Sequence, residues 1–529
     1  MKVRRKKSFG LGFTDELSKV TARSANYKSQ KDEEWKDALL PNFPPVDFIS
    51  NAEDGISLWR PTILFCFTTV IFFAILLRLF HLQIVKGSEN LQLAEGNRIQ
   101  IKRIHAPRGV IYDRNGKILA QNQPSFRLVE KEMKPTQITR DEAIKMQVRD
   151  DPRYEYLEID NIRDYPLKEK TAHVLGYVGE ITSTELEQKE FSGYQQGDKI
   201  GIDGVEETYE KSLRGVDGGE VIEVDSTGRK IRTLRTVDPI PGKSLTLTID
   251  ADLQTVVFDN LSKAIVASVS CCGAAIVEDP TTGAILSLVS LPSFDPSNVS
   301  SYLLTPNFPI LNRAIAGLYP PGSVFKIVSS LAGLSSGKIT RETQFEDTGV
   351  ISLGSFTFAN WYFTQYGRTE GSVDIVKAIQ RSNDIFFYRL GQAVGENIIA
   401  GTARKLGFGK NLGIDIPGEA IGVVPDGDWN KKALGEIWFP GDTLHMAIGQ
   451  GFVTVTPLEI SHMISAVAGG RESTPHLNLK NLPAHLTAER AGKQIDFKKQ
   501  DLDLLKQGLS EVPKQGGTAW PFFSFPIPT

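Results

Sequence analysis

A chain of 529 residues that is 40% hydrophobic and 23% charged has the make-up of an ordinary globular protein and the length for two or three cores. Its formal net charge of −3 argues against a nucleic-acid partner, which would call for a strongly basic face. Three cysteines cannot staple the fold, and the seven histidines form no HExxH and join no cysteine cluster, so no metal ligand set and no cofactor motif is visible.

Residues 1–60 mix charges of both signs, carry "PNFPP" at 41–45 and have few periodic apolar positions, which predicts a mobile tail. Thr62–Leu77, "TILFCFTTVIFFAILL", is apolar apart from its threonines, and Leu79, Phe80 and Leu82 extend it past Arg78. As a helix, Thr62–Val85 would be about 36 Å long at ~1.5 Å per residue, enough for a bilayer. It lies too far from the N-terminus for an ordinary signal peptide, so a single membrane anchor is expected at 61–85. Flanking charges disagree on orientation. "MKVRRKK" favours a cytoplasmic N-terminus, yet only Arg60 precedes the span closely while Lys86, Arg98, Lys102 and Arg103 follow it.

Beyond the anchor, "RGVIYDRNGKILA" (108–120) predicts two short strands around an Asp-Arg-Asn-Gly turn. In "GIDGVEETYEKSLRG" (201–215), Val205, Tyr209 and Leu213 recur at helical spacing, with Gly215 as a stop. "GGEVIEVDSTGRKIRTL" (218–234) predicts a hairpin turning near Ser226-Thr227-Gly228. Residues 86–240 thus form a strand-rich pedestal without reactive groups. A second domain, 241–529, opens with a strand and a helix that Asp250 or Asp252 would cap. Cys271 and Cys272 follow and are expected as small buried residues. "GAAIVEDPTTGAILSLVS" (273–290) predicts a hairpin, and the chain turns mostly helical from Ser323 to about Gly470.

"YPPGSVFKIV" (319–328) sets Ser323 three residues before Lys326, after a sharp Pro-Pro-Gly turn. In a helix beginning at Ser323 their β-carbons would lie about 5–6 Å apart. Burial would favour the neutral amine, which can take the serine proton, and the helix start suits a developing oxyanion. An isolated S-x-x-K also reads as a helix cap with a solvated lysine. Downstream, "QRSNDIFFYRLG" (380–391) supplies Ser382-Asn383-Asp384, either a second polar element of the site or a helix N-cap.

With these two motifs in this order, the chain resembles a class B penicillin-binding protein, specifically the elongation-type transpeptidase of the rod-shape machinery. The blocks at 108–120 and 201–215 are similar to its pedestal. "GIDIPGEAIGVVPDGDW" (413–429) and "WFPGDTLHMAIGQGFVTVTPLEIS" (438–461) are similar to its later blocks, and the likeness runs from the anchor to about Ala519. The resemblance implies a membrane helix, a pedestal and a penicillin-binding domain of α+β or α/β type, an antiparallel sheet with a helical subdomain, as in the serine β-lactamases. It implies Ser323 as the acylated nucleophile, Lys326 as its base, and Ser382 and Asp384 as the outer positions of the second motif. Asn383 fills the middle position and is an expected substrate contact. Stem peptides and lipid-linked glycan strands of peptidoglycan would be the substrates and β-lactams the inhibitors. A polytopic membrane glycosyltransferase would be the partner, with the catalytic domain outside the cytoplasmic membrane and the N-terminus inside.

The family's third motif, K-T-G or K-S-G on a cleft strand, has no counterpart here. The nearest match, Lys514-Gln515-Gly516, lacks the hydroxyl and follows a predicted helix with Leu502, Leu505, Leu509 and Val512 on one face. The expectation is a sequence cut short before that strand, with an incomplete sheet whose hairpin at 274–290 keeps an open edge. Two other readings compete: an inert membrane-anchored scaffold or sensor, and a β-lactamase, which needs neither anchor nor pedestal.

Overall fold

The computed structural model describes residues 59–128, 136–149, 151, 153, 157–225, 230–479 and 492–525. The tail expected at 1–60 and the hairpin turn at 226–229 lie almost wholly or wholly outside the described residues. The chain divides into two units, 1–92 and 93–529.

In the first unit a helix, Trp59–Phe80, runs into a π-helical turn, His81–Val85. The stretch Thr62–Val85 is long and apolar enough to cross a membrane, and none of its most apolar window is buried in the protein. Its threonines do not break the pattern. Thr68 Oγ1 donates to Leu64 O at 3.0 Å and Thr69 Oγ1 to Phe65 O at 2.7 Å, so both hydroxyls are satisfied within the helix.

The second unit begins with two sheets. Ile99–Ile104, Gly218–Val224 and Lys230–Val237 form an antiparallel three-stranded sheet, the last two being the hairpin expected at 218–234. In the other sheet Ile118–Leu128 is central, flanked by Ile111–Tyr112, Thr136–Ile138 and Leu157–Asp164. The predicted turn owes its shape to Asp113. Its Oδ1 accepts from Asn115 N at 2.8 Å and Lys117 N at 2.7 Å, the Asx geometry that lets a chain reverse.

The helix predicted at 201–215 is broken in two at Tyr209, Gly204–Thr208 and Glu210–Leu213, with Val205 and Leu213 fully buried. Glu206, also fully buried, takes Arg163 Nε at 2.6 Å and Arg108 Nε at 2.5 Å, and Arg108 Nη1 reaches Glu210 at 2.6 Å. This network bolts the block at 108–120 to the block at 201–215.

Strand Leu245–Thr246 pairs in parallel with Ile111–Tyr112. One core therefore runs from Ile111, Leu175 and Leu213 through Leu247 to Leu288, Ile315 and Leu477. Tyr209 continues the connection, its hydroxyl donating to Asp415 Oδ2 at 2.7 Å, while Asp415 Oδ1 accepts from Leu477 N at 2.6 Å. Asp250, not Asp252, caps the helix Ala251–Ala267. That helix packs on the hairpin Gly273–Glu278/Ile285–Leu291, whose strands are joined at the expected Pro-Thr-Thr-Gly turn. Cys271 and Cys272 correct the expectation of small buried residues. They lie in the surface connection between helix and hairpin, with Cys271 exposed and the two sulfurs joined as a vicinal disulfide. The remaining helices enclose a second core around Phe325, Leu331, Phe386, Leu390, Leu444 and Met463.

Because Glu206 neutralises two guanidinium groups away from water, Glu206→Ala should lower unfolding free energy by about 3–5 kcal/mol. Lys117→Ala, which breaks an exposed pair with Asp252, should leave the urea midpoint unchanged. Equal midpoints for both variants would contradict this role for the network.

Candidate active site

The turn that carries Ser323 is held from outside its own sequence. Tyr319 and Val455 exchange two backbone hydrogen bonds at 2.9 Å, and Gly322 N donates to Gly449 O at 2.9 Å. Ser329 Oγ adds a bond to Ala447 O at 2.7 Å. The block at 438–461 thus clamps both the turn that carries Ser323 and the helix behind it. The clamp also changes the local structure. The expectation was an α-helix starting at Ser323; instead Gly322–Phe325 form a 3-10 turn, and the α-helix runs from Lys326 to Ser335. Ser323 is left exposed at the turn, while Lys326 is 4% exposed.

The Lys326 amine uses all three of its donors on the second motif. It reaches Ser382 O at 2.8 Å, Ser382 Oγ at 3.0 Å and Asp384 Oδ1 at 2.6 Å. It also sits 5.4 Å from the centre of the Phe387 ring. Burial pulls the lysine's pKa below its ordinary value, and the charge and hydrogen bond of Asp384 oppose that shift. Among the described residues there is no hydrogen bond between the Ser323 hydroxyl and the amine.

Ser382 closes the helix Ile375–Arg381 in the left-handed region, with φ +52°. A serine there costs on the order of 1–3 kcal/mol and is characteristic of functional sites. Here the turn lets both the carbonyl and the hydroxyl of Ser382 meet Lys326. The next helix, Asp384–Val394, starts immediately, and Asn383 is its N-cap. Asn383, expected as a substrate contact, is 1% exposed and turned inward. Its Oδ1 accepts from Phe386 N at 2.9 Å and its Nδ2 donates to Asp347 at 3.0 Å, so the cap reading describes it and the cleft receives no group from it.

Asp384 is gripped on both sides, since its Oδ2 accepts from Trp361 N at 3.0 Å. Ser323, Ser382 and Asp384 line one open cleft of about 1450 Å³ together with Trp361, Tyr388 and Gln450. Burial, and then Asp384, push the Tyr388 phenol above its usual pKa. Lys514 is not among the cleft-lining residues. It follows the helix Lys499–Glu511 and pairs with Glu511 at 2.7 Å, while Gly517 and Thr518 beyond it do reach the cleft.

Sequence reasoning missed Asn360, Trp361 and Gly449, none of which belongs to a short-range pattern. For a metal, the described residues offer one cluster, His105, Asp198 and Asp217, with ligand atoms within 4.8 Å. Its two carboxylates are already bridged by Arg103 at 2.7 and 2.6 Å, so the positive charge there is supplied.

Comparison with known proteins places the chain in a family. The penicillin binding protein transpeptidase domain matches residues 273–522, and the penicillin-binding protein dimerisation domain matches 103–151 and 134–247. The peptidoglycan D,D-transpeptidase MrdA of Acinetobacter baumannii is 31% identical over 475 residues, covering 79% of this chain and 69% of that protein. PBP2 of Helicobacter pylori, solved in complex with MreC, superposes with a TM-score of 0.64 at 26% identity, covering 80% of this chain and 86% of that one. A chain from a peptidoglycan synthase complex that coordinates polymerization and crosslinking gives a TM-score of 0.66 at 27% identity, covering 89% and 87%.

The clamp makes a prediction about two glycines. A β-carbon at Gly449 (φ +71°) would run into the Gly322 carbonyl and Phe325, whereas one at Gly322 (φ +59°) would meet nothing within 4 Å. Gly449→Ala should therefore cost roughly 2–4 kcal/mol of stability and Gly322→Ala about 1 kcal/mol. Urea denaturation of the two variants checks the difference, and equal costs would remove the clamp from the account.

Proposed function

The chain belongs to the penicillin-binding proteins of the MrdA type, the peptidoglycan D,D-transpeptidases, and on that premise we propose that Ser323 carries its acyl-enzyme. The protein is a serine-type D-Ala-D-Ala transpeptidase of cell-wall synthesis. The observation that carries the assignment of residues is the position of Lys326. A buried amine bonded to Ser382 and Asp384 sits one helical turn from an exposed serine in the same cleft.

In the proposed reaction the neutral form of Lys326, which gives up one of its three N–H contacts and so has a lone pair, takes the proton of Ser323 as its Oγ attacks the carbonyl of the penultimate D-Ala. Collapse breaks the peptide bond, and the departing D-Ala amine receives its proton through Ser382, which is bonded to Lys326. An amine from a neighbouring stem peptide then attacks the ester, returns a proton by the same route and frees Ser323. β-Lactams acylate the same oxygen. A scaffold without chemistry would have no use for a desolvated lysine held by three hydrogen bonds, and that disfavours the inert reading.

We assign residues 86–240 to the pedestal and 241–529 to the transpeptidase part, with the anchor at 61–85, the N-terminus in the cytoplasm and the cleft on the outer face. The occurrence of similar chains with MreC and in a peptidoglycan synthase complex supports a partner in the cell-wall synthesis machinery; our reading of that partner is a polytopic glycosyltransferase of the rod-shape machinery working on lipid-linked strands.

Intact-mass measurement after exposure to a penicillin should show a gain of one drug equivalent that Ser323→Ala abolishes. A gain that survives in the variant, or none in either, would overturn the assignment. The rate of acylation should also depend on pH in a defined sense. The base form of Lys326 grows as pH rises through its pKa, which burial lowers, so the rate should climb and level off below the ordinary lysine value of about 10.4. Asp384→Asn removes the negative charge that raises that pKa while keeping an acceptor for the amine. It should move the midpoint to lower pH while reducing the plateau rate, as read by stopped-flow acylation with a chromogenic β-lactam.

A further inference from the structure

Behind the cleft, and outside the set of residues that line it, lies a carboxylate that neither motif contains. Asp347, 2% exposed, ends the strand Gln344–Asp347. Among the described residues no lysine, arginine or histidine pairs with it. Four N–H groups converge on it instead. Gly349 N donates to Oδ1 at 2.8 Å, while Asn360 Nδ2, Asn383 Nδ2 and Glu370 N each donate to Oδ2 at 3.0 Å.

Two of these donors lead directly to Asp384. Asn383 is the residue before it, and Asn360, fully buried, accepts from Asp384 N through Oδ1 at 3.2 Å. Trp361, next after Asn360, donates its backbone N–H to Asp384 Oδ2, and the other oxygen of Asp384 faces Lys326. A buried carboxylate without a cation is expensive to desolvate, and such groups persist where their hydrogen bonds fix something. What is fixed here is the chain on either side of Asp384.

We propose that Asp347 is a positioning residue for the transpeptidation site, holding Asn360 and Asn383 so that Asp384 stays in register with Lys326. The proposal deepens the functional reading above and rests on it. It assigns Asp347 no contact with substrate and no share in proton transfer.

The test uses the full chain with Asp347→Ala and the milder Asn360→Ala, each also made in an Asp384→Asn background, and reads two quantities. The first is the rate of penicillin acylation of Ser323. Asp347→Ala should slow it on the order of a hundredfold, the usual cost of an ångström-scale displacement in a site. In the Asp384→Asn background it should slow it much less, because the carboxylate charge whose position it sets is already gone. The second is a crystal structure of Asn360→Ala, in which the contact of Asp384 with Lys326 should open beyond the ion-pair range of about 4 Å. If Asp347→Ala does not fold, Asn360→Ala decides alone. Slowing of equal size in both backgrounds, rates that follow only the loss in Tm, or an intact ion pair in the Asn360→Ala crystal would overturn the proposal. If the parent chain is never acylated, the assignment of Ser323 falls, and the crystal structure still decides the role of Asp347.

Discussion

An ammonium or amine held almost out of water, with three hydrogen bonds to residues 56 and 58 positions further along the chain, is the constraint on which the site depends. Desolvation lowers the affinity of Lys326 for its proton, and Asp384 restores part of it. The balance between these two opposed effects decides whether the lysine can act as a base beside Ser323 at neutral pH. Neither effect is local. Burial comes from the helical core around Phe325 and Phe387, and the counter-charge from a helix start that only tertiary packing brings near.

The rest of the second unit keeps Ser323 and Lys326 in place from two directions. From one side the Gly449–Val455 segment is bonded to the backbone at Tyr319 and Gly322 and determines that the turn is 3-10 up to Phe325. From the other, Asp347 and Asn360 brace the chain around Asp384. Further away, the Glu206 network and Asp415 tie the strand-rich residues to the same body, so the part that precedes the cleft in sequence shares a core with the part that forms it.

What the sequence made legible follows the range of the interactions. The turn at Asp113 and the hairpins at 218–237 and 273–291 are written in contiguous residues, because turn chemistry acts over a few positions. The spacing of Ser323 and Lys326 was readable for the same reason, whereas the contacts of Lys326 with Ser382 and Asp384 span 56 and 58 positions. Asn383 shows the limit: its middle place in the motif suggested a contact with substrate, while its side chain is consumed by a helix cap and by Asp347. Gly449 and Asn360 carried no signal, since their partners lie many residues away and a lone glycine or asparagine has no period. The cysteine pair was misjudged because residue type favours burial, whereas the segment it occupies is a surface connection.

The most direct test of the account is a crystal structure of the chain after reaction with a penicillin. Continuous density is expected from Ser323 Oγ to the opened lactam carbonyl, with Lys326 still bonded to Ser382 and Asp384 behind it. An adduct on any other side chain, or a Lys326 withdrawn from both partners while Ser323 is acylated, would contradict it.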